Sequence, residues 1–207
     1  MIRIEELPGT LQAMVGSNPL PLPLPAEASK AIGFAMLADI RGHFQRSTAP
    51  DGRPWPKLKY PRVRGGNKPL LDTGVLRNSL HPVALPDGAA VVTNHPGAAL
   101  HNSGGVVKPR KAKALAIPLT KDALMAGSPR RFKRKLSIHK TRRGTFLAER
   151  KGARLILHYR LVRRVKIPAR WFLGLSSAGK ESVGAVVVDL AARNWLRPIS
   201  GASPGGR

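Results

Sequence analysis

The chain has 207 residues, of which 42% are hydrophobic but only 5% aromatic, so it suits one domain, or one domain with a large insertion, around a mostly aliphatic core. It has no cysteine, which excludes disulfides and thiolate metal sites. Its net charge of +25 bears on partners and not on fold, and it points to nucleic acid, an anionic membrane surface or an acidic protein surface.

The first 26 residues are predicted to form an N-terminal segment and spacer outside the folded domain. Residues 1–16 predict a short strand and then a helical turn, separated by Pro8 and Gly9. Residues 18–25 contain alternating prolines, which favour a polyproline II spacer over a partner-docking strip. The chain begins without a basic segment followed by an apolar one, and no stretch approaches 18 apolar residues. We therefore expect no signal peptide, no membrane span and synthesis in the cytoplasm.

Residues 27–46 form the clearest predicted helix. An apolar residue recurs at every fourth position, namely at Ala28, Ile32, Met36, Ile40 and Phe44. Gly33 within this helix either weakens it or allows a neighbouring element to pack closely. The four prolines of residues 47–67 rule out regular structure there, and Trp55 between two of them is predicted to anchor the loop in the core.

The middle of the chain predicts short elements separated by turns. Asp72 or Thr73 is the expected N-cap of a short helix through Arg77. Residues 83–93 predict a hairpin around 86–88, and 98–105 predict a short helix or turn that ends in glycines. Two further strands are predicted at 114–119 and 153–162, the second with residues 155, 157, 159 and 161 on one face.

The C-terminal part predicts an apolar joint at 168–176 and a closing helix at 177–196, followed by a flexible tail at 197–207. A strand through 186–188 is the alternative, because valines lower the helix propensity there. Residues 174–181 nearly match a phosphate-binding loop, but Glu181 replaces the hydroxyl residue that would bind Mg²⁺. A helix start with Ser176 or Ser177 as N-cap is the favoured interpretation.

These elements together predict an α+β fold, with a small antiparallel sheet packed against an N-terminal and a C-terminal helix. Residues 27–196 are predicted to form a single domain with a basic insertion at about 108–166. Residues 108–170 contain 21 lysines and arginines against only two acids, Asp122 and Glu149. Most of the net charge therefore belongs to this segment.

Eight of these cations form the densest basic run of the chain: Arg130, Arg131, Lys133, Arg134, Lys135, Lys140, Arg142 and Arg143. Because like charges so close together repel each other, the run is not expected to pack alone. It is interpreted either as a solvated loop or as an arm that contacts DNA or an acidic protein surface. Phe132, Phe146 and Tyr159 are sparse among the charges, so phosphate contact is better supported than base readout.

The sequence predicts no catalytic or metal site and no cofactor. The acids are isolated in sequence, so no carboxylate pair suggests acid–base chemistry. The six histidines lack metal-ligand spacing, and His95 and His101 near Asn102 lack the acids of a nuclease site. We therefore expect a protein that is not an enzyme.

Four stretches in order, with Phe44 before them, make the chain resemble a known family: PDGRPWP at 50–56, LLDTGVLRNS at 70–79, AALHNSGG at 98–105 and IPARWFLGLS at 167–176. It is similar to the phage virion morphogenesis family, which contains tail-completion proteins of Mu-like and P2-like tailed phages. The motif residues to which this resemblance assigns structural or assembly roles are Trp55, Asp72, Thr73, Gly74, Arg77, His101, Gly104, Gly105, Arg170, Phe172, Leu173 and Gly174. Arg77 and Arg170 are expected to form ion pairs, either between subunits or within the core.

The resemblance implies a structural virion protein in the neck or tail, assembled in the host cytoplasm. Its expected form is a homo-oligomeric ring, six copies in number, that acts as tail terminator or tail-completion factor around the DNA channel. The expected partners are tail-tube and head-connector proteins, with possible non-specific contact with packaged DNA and no membrane. The alternatives are a head-side connector or stopper protein and a non-enzymatic basic nucleic-acid-binding protein. The basic segment is longer than the family's usual stretch between the last two motifs.

Overall fold

The computed structural model describes residues 2–7, 10–15, 26–58, 66–86 and 88–195, with the backbone alone for 2–7, 10–15, 191, 194 and 195. The predicted spacer at 18–25 and the predicted tail at 197–207 lie outside these residues, and so does Asp87 in the predicted turn. Among the described residues the fold is α+β, as predicted.

The main sheet has four antiparallel strands in the order β1-β2-β4-β3. They are β1 (Ile2–Leu7), β2 (Thr10–Val15), β3 (His81–Leu85) and β4 (Gly88–Thr93). The hairpin predicted at 83–93 is therefore confirmed. The helical turn predicted after Gly9 is wrong, because residues 11–15 pair with residues 89–93 of β4, and this long-range ladder determines their conformation.

The predicted N-terminal helix, α1 (Ala26–Arg46), lies across β3 and β4. It approaches the sheet closely at Gly33, where an added Cβ would lie 2.9 Å from the Cβ of Pro82. Of the two roles considered for this glycine, close packing is the one that the structure supports. The apolar stripe of α1 lies in a core made of Ile32, Met36, Leu37, Ile40, Phe44, Ala49, Trp55, Leu76, Leu80, Ala89, Val91, Ala98, Phe172, Leu173, Leu175 and Val183.

Two short helices, α2 (Val75–Asn78) and α3 (Ala98–Ser103), flank the hairpin. The predicted cap of α2 is wrong: its N-cap is Gly74, in the left-handed region with φ 77°, and no side chain caps it. Thr73 provides only a long contact, 3.5 Å from its Oγ1 to the Val75 amide nitrogen. Glycine suits position 74, because a residue with a Cβ would adopt this left-handed φ only with strain.

The closing helix, α5 (Ser177–Trp195), packs on α1. Val183 is buried, Val186 and Val187 are partly buried and Val188 is exposed, so the alternative of a strand through 186–188 is wrong. The predicted cap is confirmed at Ser176, whose Oγ accepts a bond of 3.0 Å from the Gly179 amide. The near match to a phosphate-binding loop is therefore a helix start.

The basic insertion is an ordered sheet on a two-stranded stalk. The stalk pairs β5 (Gly105–Val107) with β10 (Val165–Ile167), so residues 108–164 between them form what we call the basic module. The module contains β6 (Leu115–Pro118), α4 (Lys121–Ala126), a 3-10 turn (Pro129–Arg131), β7 (Ser137–Thr141), β8 (Gly144–Lys151) and β9 (Arg154–Val162). Its antiparallel strands have the order β6-β9-β8-β7, which confirms the strands predicted at 114–119 and 153–162.

The structure corrects the expectation that the basic run would not pack alone and the interpretation that it is a loop. Residues 137–141 of the run form β7 and pair with β8, and residues 129–131 form the 3-10 turn. The physical reason is a small core of the module's own, in which Ala123, Phe146, Ala148, His158 and Tyr159 are buried. None of these side chains belongs to the main core.

A register shift changes which side chains share a face of this sheet. Leu147 pairs with Tyr159, but the next residue, Ala148, pairs with Leu157. Because consecutive strand residues point to opposite faces, Tyr159 and Leu157 also lie on opposite faces. The prediction that residues 155, 157, 159 and 161 share one face is therefore wrong, since His158 is an extra residue in the ladder.

Candidate functional site

The four motif stretches meet around the joint, residues 168–176, in an arrangement that we call the motif hub. The indole Nε1 of Trp55 donates to the Trp171 carbonyl at 2.9 Å. The amide oxygen of Asn102 accepts from the backbone amides of Phe172 and Leu173, both at 3.1 Å. Because Asn102 is buried, these bonds satisfy two amide groups that have no secondary structure to pair with.

Aromatic packing gives the hub its apolar centre. Phe44 of α1 contacts Trp55 edge-on with ring centroids 5.5 Å apart, and it contacts Phe172 at 5.2 Å. Phe172 and Leu173 are fully buried. The predicted role of Trp55 as a core anchor is therefore confirmed. Gly174 lies so close that an added Cβ would be 3.0 Å from Pro50, at the start of the first motif.

Gly104 holds the third motif against the joint. Its φ of 75° is left-handed, and an added Cβ would lie 2.7 Å from the Ala169 amide nitrogen. The Arg170 amide donates to the His101 carbonyl at 2.9 Å. A side chain at 104 would be strained and would also push the backbones apart, so the turn at this glycine depends on its lacking a Cβ. Gly105 begins the stalk strand β5.

The two motif arginines differ in their surroundings. Arg170 is only 6% exposed, and its guanidinium donates to the carbonyls of Pro56, at 3.0 Å, and Lys57, at 3.4 Å. It thereby ties the joint to the first motif. Arg77 donates to its neighbour Asn78 at 3.2 Å and makes no ion pair with another described residue. A pair between subunits stays a prediction for Arg77.

Asp39, His43 and Ser176 form a polar cluster that the sequence did not reveal, in which His43 is buried and the other two are partly buried. Asp39 accepts from the Ser176 amide at 2.8 Å and from its hydroxyl at 2.7 Å, which joins α1 to the start of α5. His43 donates from Nδ1 to the Phe172 carbonyl at 3.0 Å, and its Nε2 lies 3.6 Å from Asp39. Burial lowers the pKa of His43, although this bond and the Asp39 charge oppose the effect.

This cluster does not have the geometry of a catalytic triad. The Ser176 hydroxyl donates to a carboxylate and caps a helix, and the histidine ring is directed at a backbone carbonyl instead of at the serine. It is an architectural connection between α1, the joint and α5. The sequence signal for it was weak: Asp39 and His43 are four residues apart and so share one face of α1, but Ser176 lies far from both in the chain.

A cavity of about 320 Å³ opens beside the hub. Its lining includes several predicted motif residues, and it consists of Leu58, Leu70, Asp72, Thr73, Gly74, Val75, Leu76, His95, His101 and Arg170. Burial lowers the pKa of His101, and the charges of Arg170 and His95 add to this effect. In the described part of the chain no group of three or more His, Asp or Glu residues could hold a metal ion.

The eight predicted contact residues of the basic run are all exposed, but one of them has a different role. Arg134 forms ion pairs with Asp122 and with Glu149, the latter at 3.2 Å. Glu149 also lies 3.0 Å from the ring of His158, which in turn bonds the Thr120 hydroxyl at 2.8 Å. Arg134 thus neutralises the module's two acids and stabilises its fold.

The other seven cations of the run, namely Arg130, Arg131, Lys133, Lys135, Lys140, Arg142 and Arg143, form no ion pair with any described residue. The aromatic residues of the module are not exposed among them. Tyr159 and Phe146 are buried, and Phe132 packs on His158 with ring centroids 4.5 Å apart. The surface therefore presents cations without stacking platforms, which suits contact with phosphates and not with unpaired bases.

Comparison with known proteins identifies the family of the chain. The model of the phage virion morphogenesis family matches residues 10–191, which include the motif hub and the basic module. No curated protein and no solved structure matches the chain. No helix in the described ranges is long and apolar enough to cross a membrane.

Proposed function

The chain belongs to the phage virion morphogenesis family, a family of virion-associated proteins that act in building a bacteriophage particle, and from this premise we propose that it is a ring-forming neck component. In this proposal it acts as a tail terminator or tail-completion protein that joins the tail to the head connector around the DNA channel. Six copies form the ring, which is assembled in the host cytoplasm and retained in the neck.

The motif hub supports a structural role. It consists of buried hydrogen bonds to backbone groups, aromatic contacts and an arginine bound to backbone carbonyls, all of which position the joint. These contacts hold a rigid core from which surfaces are presented to neighbours. The Ser176 hydroxyl of the hub donates to the Asp39 carboxylate and caps α5, and the His43 ring bonds a backbone carbonyl instead of this serine, so these contacts join elements of the fold.

The observation that best supports self-association is a set of exposed apolar side chains on the helices of the core. Phe34 on α1 is 61% exposed, Val75 on α2 is 57% exposed and Val188 on α5 is 68% exposed. Large apolar side chains on helical surfaces favour burial between subunits, since burying a Phe or Val stabilises by about 1.5–3 kcal/mol. We expect Phe34 to lie in a contact between adjacent copies.

The basic module supports an anionic neighbour for each subunit. A ring brings many copies of this charge together, and their mutual repulsion favours partners that neutralise it. The proposed neighbours are the tail-tube and head-connector proteins and the DNA in the channel. The module's charge also supports the second candidate, a non-enzymatic nucleic-acid-binding protein, but this function makes no use of the exposed apolar side chains on the core helices.

Light scattering of the purified protein in low and high salt tests the ring. We expect a salt-resistant species of about six subunits that appears as an annulus in negative-stain images. Phe34→Asp should convert it to smaller species because a carboxylate would be buried in the contact. Met125→Asp is the matched control, because Met125 is 82% exposed on the module. A wild-type mass of one subunit at every salt and concentration would contradict the proposal.

A further inference from the structure

Arginines from two separate segments meet at one end of the module's sheet. Arg142 and Arg143 occupy the turn between β7 and β8, and Arg163 and Arg164 follow β9 directly. The ladder pairs Thr145 with Leu161, so the β7–β8 turn and the end of β9 lie at the same end of the sheet. We call these four residues the arginine end.

A direct contact confirms that the two segments are adjacent. The guanidinium of Arg160, near the end of β9, donates to the backbone carbonyl of Arg143 at 3.2 Å. The four side chains of the arginine end are exposed and form no ion pair with a described residue. The stalk strand β10 begins at Val165, so this end of the sheet is next to the stalk.

The module's acids lie elsewhere. Glu149 lies four residues along β8 from Thr145, which places it about 13 Å along the strand from the pair that marks the arginine end. Asp122 is held beside Glu149 by the shared partner Arg134. The arginine end therefore has uncompensated charge on a rigid scaffold, and a polyanion would relieve its self-repulsion.

The chemistry of this end favours phosphate over protein. Its described neighbours in the turn are Thr141, Gly144 and Thr145, which offer hydroxyls and backbone but no apolar anchor. Protein interfaces depend on buried aromatic or aliphatic anchors, whereas phosphate oxygens are bound well by the planar fork of arginine. Because the module's aromatic rings are packed internally, unpaired bases would find nothing to stack on.

We propose that Arg142, Arg143, Arg163 and Arg164 bind the phosphate backbone of duplex DNA without reading its sequence. This inference deepens the proposed function, on which it rests for the presence of duplex DNA beside the subunit. Arg134, although exposed in the same basic run, is not part of the contact, because it is committed to Asp122 and Glu149.

The test is the salt dependence of binding to a labelled duplex of about 20 base pairs, followed by fluorescence anisotropy. Each phosphate contact contributes about −0.9 to the slope of log affinity against log salt, so Arg142→Gln, Arg143→Gln, Arg163→Gln and Arg164→Gln together should reduce the slope by about 3 to 4. Between 50 and 200 mM salt the wild type should then lose about a hundredfold more affinity than this variant does.

A control variant removes the same charge from the core. It combines Lys30→Gln, Arg53→Gln, Lys68→Gln and Arg193→Gln, all at exposed positions. We expect its salt slope to stay near that of the wild type, and we expect single-stranded DNA of equal length to bind no more tightly than the duplex. Circular dichroism should be unchanged in both variants, because none of the eight side chains is buried.

Three results would overturn the proposal. The first is an equal loss of affinity in the two quadruple variants, which would mean that total charge and not the arginine end binds DNA. The second is competition by polyglutamate at equal charge concentration, which would indicate an acidic protein partner. The third is tighter binding of single strands. Light scattering on the same samples separates this proposal from the ring: a ring that ignores DNA would overturn only the DNA contact, and a monomer that binds DNA would overturn only the ring.

Discussion

The motif hub and the basic module differ in where they place their polar groups. The hub buries polar groups, and each of Asn102, Arg170 and Asp39 satisfies backbone or hydroxyl groups that would otherwise lack partners. The module exposes its cations and keeps only a small core beneath them. The comparison teaches that the motif residues hold the core together, whereas the module presents exposed cations to the neighbours that we propose.

The largest effect should come from removing an aromatic ring from the hub. Phe172→Ala should lower the free energy of unfolding of the core by about 3–5 kcal/mol, because the ring is fully buried against Phe44. Urea unfolding followed by the fluorescence of the three tryptophans, which include Trp55 and Trp171 of the hub, measures it. Phe132→Ala, in the module, is the matched control and should leave this transition unchanged. Equal losses in both variants would mean that the two regions unfold together.

An effect of similar size is expected from Asn102→Ala. The change leaves the buried amides of Phe172 and Leu173 without a hydrogen-bond acceptor. Each unsatisfied N–H lowers the free energy of unfolding by about 1–3 kcal/mol. Asn78→Ala, which removes only an exposed acceptor for Arg77, serves as the control. Both variants are measured by the same urea titration. If Asn102→Ala were no more destabilising than the control, water would have to reach the joint.

Acid should weaken the core. Burial lowers the pKa of His43 and of His101 below the usual 6.5, so both are neutral in the folded and unfolded states above that value. Below pH 6.5 the unfolded chain takes up protons that the folded core resists, and stability falls as the pH drops toward the folded pKa values. Urea midpoints at pH 7.5 and 5.5 measure this loss. A midpoint that rises on acidification would contradict it.

Arg134→Gln should have a slight effect, confined to the module. The arginine side chain is 45% exposed, and such partly exposed pairs contribute about 0.2–1 kcal/mol. Lys133→Gln removes the same charge without breaking an ion pair and is the control. Hydrogen exchange of β8 and β9 amides resolves the module from the core. Equally faster exchange in both variants would show that the stability of the module depends on its total charge and not on the ion pairs of Arg134.

The smallest effect on the core is expected from removing the module altogether. Val107 and Val165 pair across the stalk, so an Asn-Gly turn in place of residues 108–164 can close it as a hairpin. The core's melting temperature should stay within about 2–4 °C, the shift that 1 kcal/mol produces in a chain of this size. Loss of the cooperative core transition would show that the module is part of one folding unit.

Much of the fold followed from local signals. The four-residue apolar spacing of α1, the hairpin at 83–93, the short helix α3 that ends at Gly104 and the helix start at Ser176 are properties of neighbouring residues. Two predictions were wrong where pairing with another strand decides the conformation. Residues 10–15 form a strand by pairing with β4, and residues 137–141 of the basic run form β7 by pairing with β8.

Of the candidate sites, the sequence identified the members but not their roles. Trp55, Gly104, Arg170 and Phe172 were assigned structural or assembly roles by resemblance, and the structure brings them to one place. Asp39 and His43 were missed, because a polar residue on an apolar stripe has no signal until its partner is known. Arg134 was grouped with its neighbours, and only its contacts with two distant acids separate it from them.

By itself, then, the sequence determined the fold class, the position of the charge and the family, since composition, periodicity and ordered motifs are properties of the linear chain. Only the tertiary structure decided that the basic insertion is a folded module, that Tyr159 and Leu157 face opposite ways, and that Arg142–Arg143 and Arg163–Arg164 share one end of a sheet. The physical reason is that strand register and buried polar pairing join residues far apart in the chain, and their energies depend on geometry that no local segment contains.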